Sequence, residues 1–191
     1  MKTKLTVHYE KYFRSLAAKN SKMKFFNVDL KGLNGRPHPV LSGIFTTKDV
    51  QKSRSHVKLL CDDLYTYEKR AKYDGGSPNC RLCFKEEQQE NIIENVTHII
   101  SICEAYTDIR ERIKNEIKSV SLNIFPETSI HDILGNPAMF TQFIVDCTSH
   151  NLPVRIIPSS EICTKIMNLS RDLCYGILKK RSEKLNELMI K

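Results

Sequence analysis

Residues 80–103 read CRLCFKEEQQENIIENVTHIISIC, and the cysteines and histidine in this stretch decide how the rest of the chain is interpreted. Cys80 and Cys83 have two residues between them; His98 follows after fourteen more, and Cys103 after another four. Three thiolates and one imidazole make a complete tetrahedral ligand set for zinc, with no coordination position open to a substrate. The spacing therefore predicts a structural Zn2+ site formed by all four side chains. The alternative is that they are unligated core residues.

The segment between the two ligand pairs, FKEEQQEN (84–91), is acidic and polar, and we expect it to be an exposed loop. It offers no apolar material to hold it in place, so metal binding, worth on the order of 10 kcal/mol, would stabilise this region. We expect a helix to resume near Ile92 or Val96. His98 and Cys103 are therefore expected either on one helix or on the two sides of a helix break.

The composition is that of a soluble globular protein, with 40% apolar and 27% charged residues. No apolar run approaches the roughly 20 residues that span a bilayer, and the N-terminus lacks the apolar segment of a secretory signal. Seven cysteines are an odd number. Cys61, Cys147, Cys163 and Cys174 stand alone in apolar surroundings, which favours reduced, buried thiols and an intracellular compartment over a disulfide framework.

The net charge of +8 is unevenly distributed. Residues 1–79 contain 16 Lys/Arg and 7 Asp/Glu, whereas residues 80–191 contain 14 and 15. A basic half indicates a polyanionic partner, nucleic acid first, although it can also serve solubility alone.

Hydrophobic periodicity predicts a mostly α-helical fold with a small metal-binding insertion. We divide the chain into an N-terminal helix with a Gly/Pro-rich connection (1–47), a basic helical segment (48–79), the finger (80–103) and a C-terminal helical region (104–191), with 48–191 as one packed unit. The predicted helices cover residues 5–18, 48–73, 104–118, 126–134, a segment from Pro137 to Cys147, and 159–188. No period-2 strand is evident.

Residues 48–73 carry cations around an apolar stripe. They are candidates for phosphate contacts, or else form a solvated helix face. A second basic run, residues 179–184, lies at a helix C-terminus, where the macrodipole favours cations without any ligand. His38, between two prolines, is expected to pack in its loop or lie on the surface rather than bind metal. The candidate phosphate contacts are Lys48, Lys52, Arg54, Lys58, Lys69, Arg70 and Lys72.

The sequence provides no catalytic motif. It lacks a Gly-rich phosphate loop, a His-Glu-x-x-His helix and a Gly-x-Ser-x-Gly turn. A zinc deaminase would place its histidine before the cysteine pair, whereas His98 follows it. Nothing in the sequence brings Asp62, Asp63 and Asp146 together for a metal-dependent nuclease. We therefore predict a protein that is not an enzyme.

The chain resembles the C-terminal, zinc-binding (CCHC) segment of non-LTR (LINE-type) retrotransposon reverse transcriptase polyproteins. The resemblance covers about residues 9–185 and is carried by YEKYFRSLAAKNSKMKFFNVD, GRPHPV, SRSHVKLLCDDLYTYEKRAKY, CRLC…ENVTHIISICEAYTDIRERI, TQFIVDCTSHNLP and SRDLCYGILKKR. Its most specific part is the finger, with Glu94 four residues before the histidine and Arg110 seven after the last cysteine.

The resemblance implies that Cys80, Cys83, His98 and Cys103 bind zinc and that the chain binds RNA or DNA, with the nucleus favoured. The polymerase, with its Tyr-x-Asp-Asp motif, and the endonuclease are absent from this sequence. A chain with only this tail is expected to be a fragment of an element, a degenerate copy or a co-opted domain, unable to copy RNA by itself.

Three hypotheses follow. The first is a non-catalytic, zinc-stabilised nucleic-acid-binding module with no membrane or small-molecule partner. The second is a protein-interaction or scaffold domain in which zinc is purely structural and the helix over 159–188 docks a partner. An apolar stripe left uncovered on that helix would favour the second. The third is a degenerate element fragment that folds but has no selected role.

Overall fold

The computed structural model describes residues 25, 38–44, 46–83, 92–149, 151–158 and 160–189. These residues are mostly helical and contain no β-strand, which confirms the predicted fold class. The predicted helix over residues 5–18 and the loop 84–91 lie outside the described residues. No described helix has both the length and the apolarity to cross a membrane. The α-helices are α1 (Thr47–Leu60), α2 (Tyr67–Asp74), α3 (Thr107–Ser121), α4 (Glu127–Gly135), α5 (Pro137–Val145) and α6 (Glu161–Met189).

The basic segment forms two helices, so the prediction of one continuous helix over residues 48–73 is wrong. The backbone of Asp62 has a φ of 48°, a left-handed conformation that a helix cannot continue through. Thr66 then begins α2 by accepting a hydrogen bond at 3.3 Å from the backbone N–H three residues later. Thr46 begins α1 in the same way, in a capping box with Asp49. The break places Lys69, Arg70 and Lys72 on a separate helix from the cations of α1.

The long helix α6 is the centre of the core, because α1 and α3 both pack against it. α4 packs on α5, which in turn contacts α1 and α6. Each large apolar side chain buried in this way contributes about 1.5–3 kcal/mol. Fully buried members of the core are Leu59 of α1, Ile113 and Ile117 of α3, Phe140 and Phe143 of α5, and Ile166, Leu173 and Ile177 of α6.

A buried arginine connects the chain ahead of α1 to α6. Arg171, which is 4% exposed, donates hydrogen bonds to the carbonyl oxygens of Pro39 at 2.9 Å, Val40 at 3.0 Å and Ser42. In the same loop, Nδ1 of His38 accepts a hydrogen bond from the Val40 N–H at 3.2 Å. His38 therefore packs in its loop, as predicted.

All seven cysteines are free thiols. Cys174 is buried among apolar side chains, and Cys61 is partly buried. Cys147 and Cys163 are reduced and buried, as predicted, and their Sγ atoms lie 3.9 Å apart in the core. The turn after α5 and the first turn of α6 bring them together, a proximity that their sequence separation does not reveal.

Candidate metal centre

A short antiparallel pairing holds the first two thiols in place. Asn79 and Ile93 form an isolated β-bridge, and the backbone N–H of Cys80 donates to the carbonyl of Ile92 at 2.8 Å. The N–H of Cys83 then donates back to the carbonyl of Cys80 at 3.2 Å, which closes a tight turn. The two thiols consequently lie in one compact turn, which we call the knuckle (residues 79–83 paired with residues 92–94).

A π-helical segment, His98–Ile102, positions the other two candidate ligands. His98 is its first residue, and the N–H of Cys103, immediately after its end, donates to the carbonyl of His98 at 2.7 Å. Asn95 fixes the start of the segment by accepting a hydrogen bond from the His98 N–H at 2.8 Å. His98 and Cys103 thus lie on the two sides of a helix break, the second of the arrangements predicted. Single π-turns of this kind are frequent at functional sites.

The four side chains converge on one point. One ligand atom from each of Cys80, Cys83, His98 and Cys103 lies within 4.8 Å of all the others. Sγ of Cys103 lies 4.0 Å from Sγ of Cys80 and 3.3 Å from Sγ of Cys83, and Nε2 of His98 lies 3.6 Å from Sγ of Cys83. Cys80, His98 and Cys103 are buried, and Cys83 is partly buried. This cluster can hold a metal ion, and its four side chains make a complete tetrahedral ligand set.

The thiols oppose one another's ionisation. A hydrogen bond from Cys103 lowers the pKa of the Cys80 thiol. The same contact and burial raise the pKa of Cys103 far above its usual range, and burial raises that of Cys83. A bound cation would stabilise all three thiolates together, because it supplies the positive charge that the protein alone does not.

Arg110 forms a hydrogen bond with the backbone carbonyl of Cys103, the last of the four candidate ligands. It is 5% exposed, and its Nη1 donates to the carbonyl oxygen of Cys103 at 3.1 Å, while its Nη2 donates to Oγ1 of Thr107 at 2.9 Å. The contact fixes the backbone that carries the last thiol.

Glu94 joins the knuckle to both α2 and α6. Its side chain is fully buried, and Oε1 lies 2.7 Å from Nη2 of Arg181, whose side chain is 14% exposed. The same oxygen accepts a hydrogen bond from the backbone N–H of Tyr67 at 3.0 Å, at the first residue of α2. One carboxylate therefore fixes the orientation of the knuckle relative to two helices.

The predicted phosphate contacts divide into two groups. Four form ion pairs: Lys52 with Asp172 at 2.5 Å, Lys69 with Asp62 at 3.0 Å, Arg70 with Asp74 at 3.5 Å and Lys72 with Glu68 at 3.0 Å. Lys48, Arg54 and Lys58 on α1 are exposed, and within the described part of the chain they have no ion pair.

Sequence reasoning missed two arginines beside the metal cluster. Arg81 lies inside the knuckle, with its guanidinium carbon 5.1 Å from the centre of the Tyr67 ring, and that of Arg181 lies 5.9 Å from the same centre. Arg81 stands between the paired cysteines, a placement that could have drawn attention to it. Arg181 was attributed to the dipole of α6, and only the fold shows its buried partner.

No protein-family model matches the chain, and no curated protein or solved structure shows significant similarity to it.

Proposed function

We propose that the chain is a zinc-stabilised nucleic-acid-binding module without catalysis of its own. The observation that carries the proposal is the convergence of three thiols and one imidazole, with ligand atoms within 4.8 Å of one another. A tetrahedral zinc with bonds of about 2.3 Å to sulfur and about 2.05 Å to nitrogen sets S···S separations of about 3.8 Å and S···N separations of about 3.6 Å.

The measured separations fit those values. The S···S distances of 3.3 and 4.0 Å lie on either side of the expected one, and the S···N distance is 3.6 Å. Soft thiolates with an imidazole select zinc over magnesium or calcium, which prefer oxygen ligands. With four protein ligands the bound zinc would have a structural role: it would hold the knuckle closed against the π-helical segment.

The charge distribution supports a polyanionic partner. The net charge is +8, and residues 1–79 carry all of the excess. Lys48, Arg54 and Lys58 project from α1 without ion pairs among the described residues, so they are available to phosphates. Each phosphate neutralised by such a cation releases counterions and makes binding depend on salt.

The resemblance to the zinc-binding tail of LINE-type reverse transcriptases supports nucleic acid as that polyanion. Two residues of the resembling pattern lie next to the cluster: Arg110 donates to the carbonyl oxygen of Cys103, and Glu94 pairs with Arg181. In this proposal they orient the knuckle, as residues surrounding metal ligands commonly do.

The alternative of a protein partner docked on α6 would have to use the last turns of that helix. Its apolar stripe is buried as far as Ile177, against α1 and α3, whereas Leu188 near its end is 45% exposed. Four cations and no described carboxylate line the surface groove beside these turns, which favours a polyanion.

Binding of labelled single-stranded and duplex RNA and DNA, measured by fluorescence anisotropy from 50 to 500 mM salt, tests the proposal. We expect binding that weakens steeply with salt and is lost when zinc is chelated. No salt-dependent binding to any of the four nucleic acids would refute a nucleic-acid function, whatever the metal content.

A further inference from the structure

A groove of about 360 Å3 lies beside the metal cluster, between α1, α2, the knuckle and the C-terminal half of α6. Its cationic lining residues are Lys58 of α1, Arg70 of α2, Arg81 of the knuckle and Arg181 of α6. No carboxylate occurs among its described lining residues. The volume is at the lower end of the range for ligand sites, about 300–1,000 Å3.

Two of the four cations are uncompensated. Arg70 and Arg181 have carboxylate partners, at 3.5 and 2.7 Å, that do not line the groove. Lys58 and Arg81 are exposed and have no ion pair within the described part of the chain. The groove therefore has a local excess of positive charge that an anion can neutralise.

Tyr67 organises the guanidinium groups. The side chains of Arg81 and Arg181 both contact its ring, with guanidinium carbons 5.1 and 5.9 Å from the ring centre. Such contacts hold an arginine side chain in place. Nη2 of Arg181 already donates to Glu94 at 2.7 Å, so Arg81, which has no ion pair within the described part of the chain, is the guanidinium of the two that is available to phosphate oxygens.

Four leucines form an apolar part of the lining, the leucine wall. Leu178, Leu185 and Leu188 lie on the same face of α6 as Arg181, Leu64 precedes α2, and Leu188 is 45% exposed. Contact with leucine does not stabilise a phosphate, but it does stabilise an unstacked base, because the flat face of the base is removed from water. A duplex conceals the faces of its bases, whereas a single strand can turn a base onto such a wall while its phosphates meet the cations.

We propose that this groove binds single-stranded nucleic acid, with Lys58 and Arg81 contacting phosphates and the leucine wall receiving a base. The inference rests on the proposed function and specifies its site and its preferred strand state.

The test compares two double variants in binding to a labelled single-stranded oligonucleotide of about 12 nucleotides. Lys58→Gln with Arg81→Gln removes the uncompensated charges. The control, Arg112→Gln with Lys165→Gln, removes equal charge from exposed residues that pair with Glu116 and Glu161 and do not line the groove. Zinc content and the urea midpoint of each variant confirm that it is folded.

Loss of two phosphate contacts should make the negative slope of log K (the association constant) against log salt shallower by about 1.4. Binding should weaken about 25-fold at 0.1 M salt. The control should remain within about threefold of the wild type, because its charges touch no bound phosphate.

Each outcome is decisive. If the wild type binds and the groove variant binds as the control does, the groove is not the site, although the proposed function survives. If the wild type prefers duplex, or if polyglutamate competes as well as the oligonucleotide, recognition of a single strand is refuted. If the wild type binds no nucleic acid, the proposed function fails and the groove assignment fails with it.

Discussion

Replacing Arg181 by Met should destabilise the protein by about 3 kcal/mol, because it leaves a buried carboxylate without its partner. Arg181 lies 2.7 Å from Oε1 of Glu94, and their side chains are 14% and 0% exposed. Removing one member of a buried ion pair costs about 3–5 kcal/mol, and the slight exposure of the arginine favours the lower end. Among the residues that the structure describes, Oε2 of Glu94 has no hydrogen-bond partner that could compensate.

The measurement is equilibrium unfolding in urea with zinc in excess, followed by far-UV circular dichroism. Lys180→Met is the matched control: the adjacent lysine pairs with Asp108 at 2.7 Å, but that carboxylate is 67% exposed, so the loss should stay below about 1 kcal/mol. Adding Glu94→Gln to Arg181→Met should recover about 2 kcal/mol, since the stranded charge is removed. If Arg181→Met costs no more than Lys180→Met, or if the second substitution recovers nothing, the pair does not join the knuckle to α6.

Three further predictions concern the support of the cluster, the core and a helix end. Arg110→Met should weaken zinc binding about 10- to 100-fold in a chelator competition, because the carbonyl of the last ligand loses its donor, whereas the exposed Arg112→Met should leave affinity unchanged. Burial lowers the pKa of His56 to about 4, below its usual 6.5, so the unfolded chain takes up a proton first as the pH falls. About 3 kcal/mol of stability should therefore be lost between pH 6.5 and 4, and urea titrations of His56→Gln should lack that loss; an identical pH profile would contradict the assignment. Gly75→Ala should cost about 1 kcal/mol in the same titration, because Gly75 ends α2 at a φ of 69° with open space around its Cβ position, and Gly76→Ala, where φ is not positive, should cost almost nothing.

The helices of the C-terminal region were predictable from the sequence because local signals determine them. Pro137 begins α5, Gly135 ends α4, and the apolar spacing of α6 continues over most of its length. The break between α1 and α2 was missed because it depends on the left-handed backbone of Asp62 and on the cap at Thr66, neither of which disturbs the apolar periodicity.

The metal cluster was predictable because Cys80, Cys83, His98 and Cys103 have the residue types and the sequence spacing of a zinc site. Its surroundings were not, because they depend on contacts between distant residues. Glu94 and Arg181 are 87 residues apart in the chain. Arg81 and Arg181 come close to each other because both contact the ring of Tyr67, which the fold places near the knuckle and α6. Cysteine pairs in the core, such as Cys147 with Cys163, are hidden for the same reason.

Zinc content, measured by native mass spectrometry on the purified chain with and without Cys103→Ser, tests the central claim most directly. Cys61→Ser, which removes a partly buried thiol outside the cluster, is the control. We expect one zinc per chain in the wild type and in the control, and none in Cys103→Ser. A wild type that binds no zinc when it is supplied, or a Cys103→Ser variant that retains a full equivalent, would contradict the assignment of the four ligands.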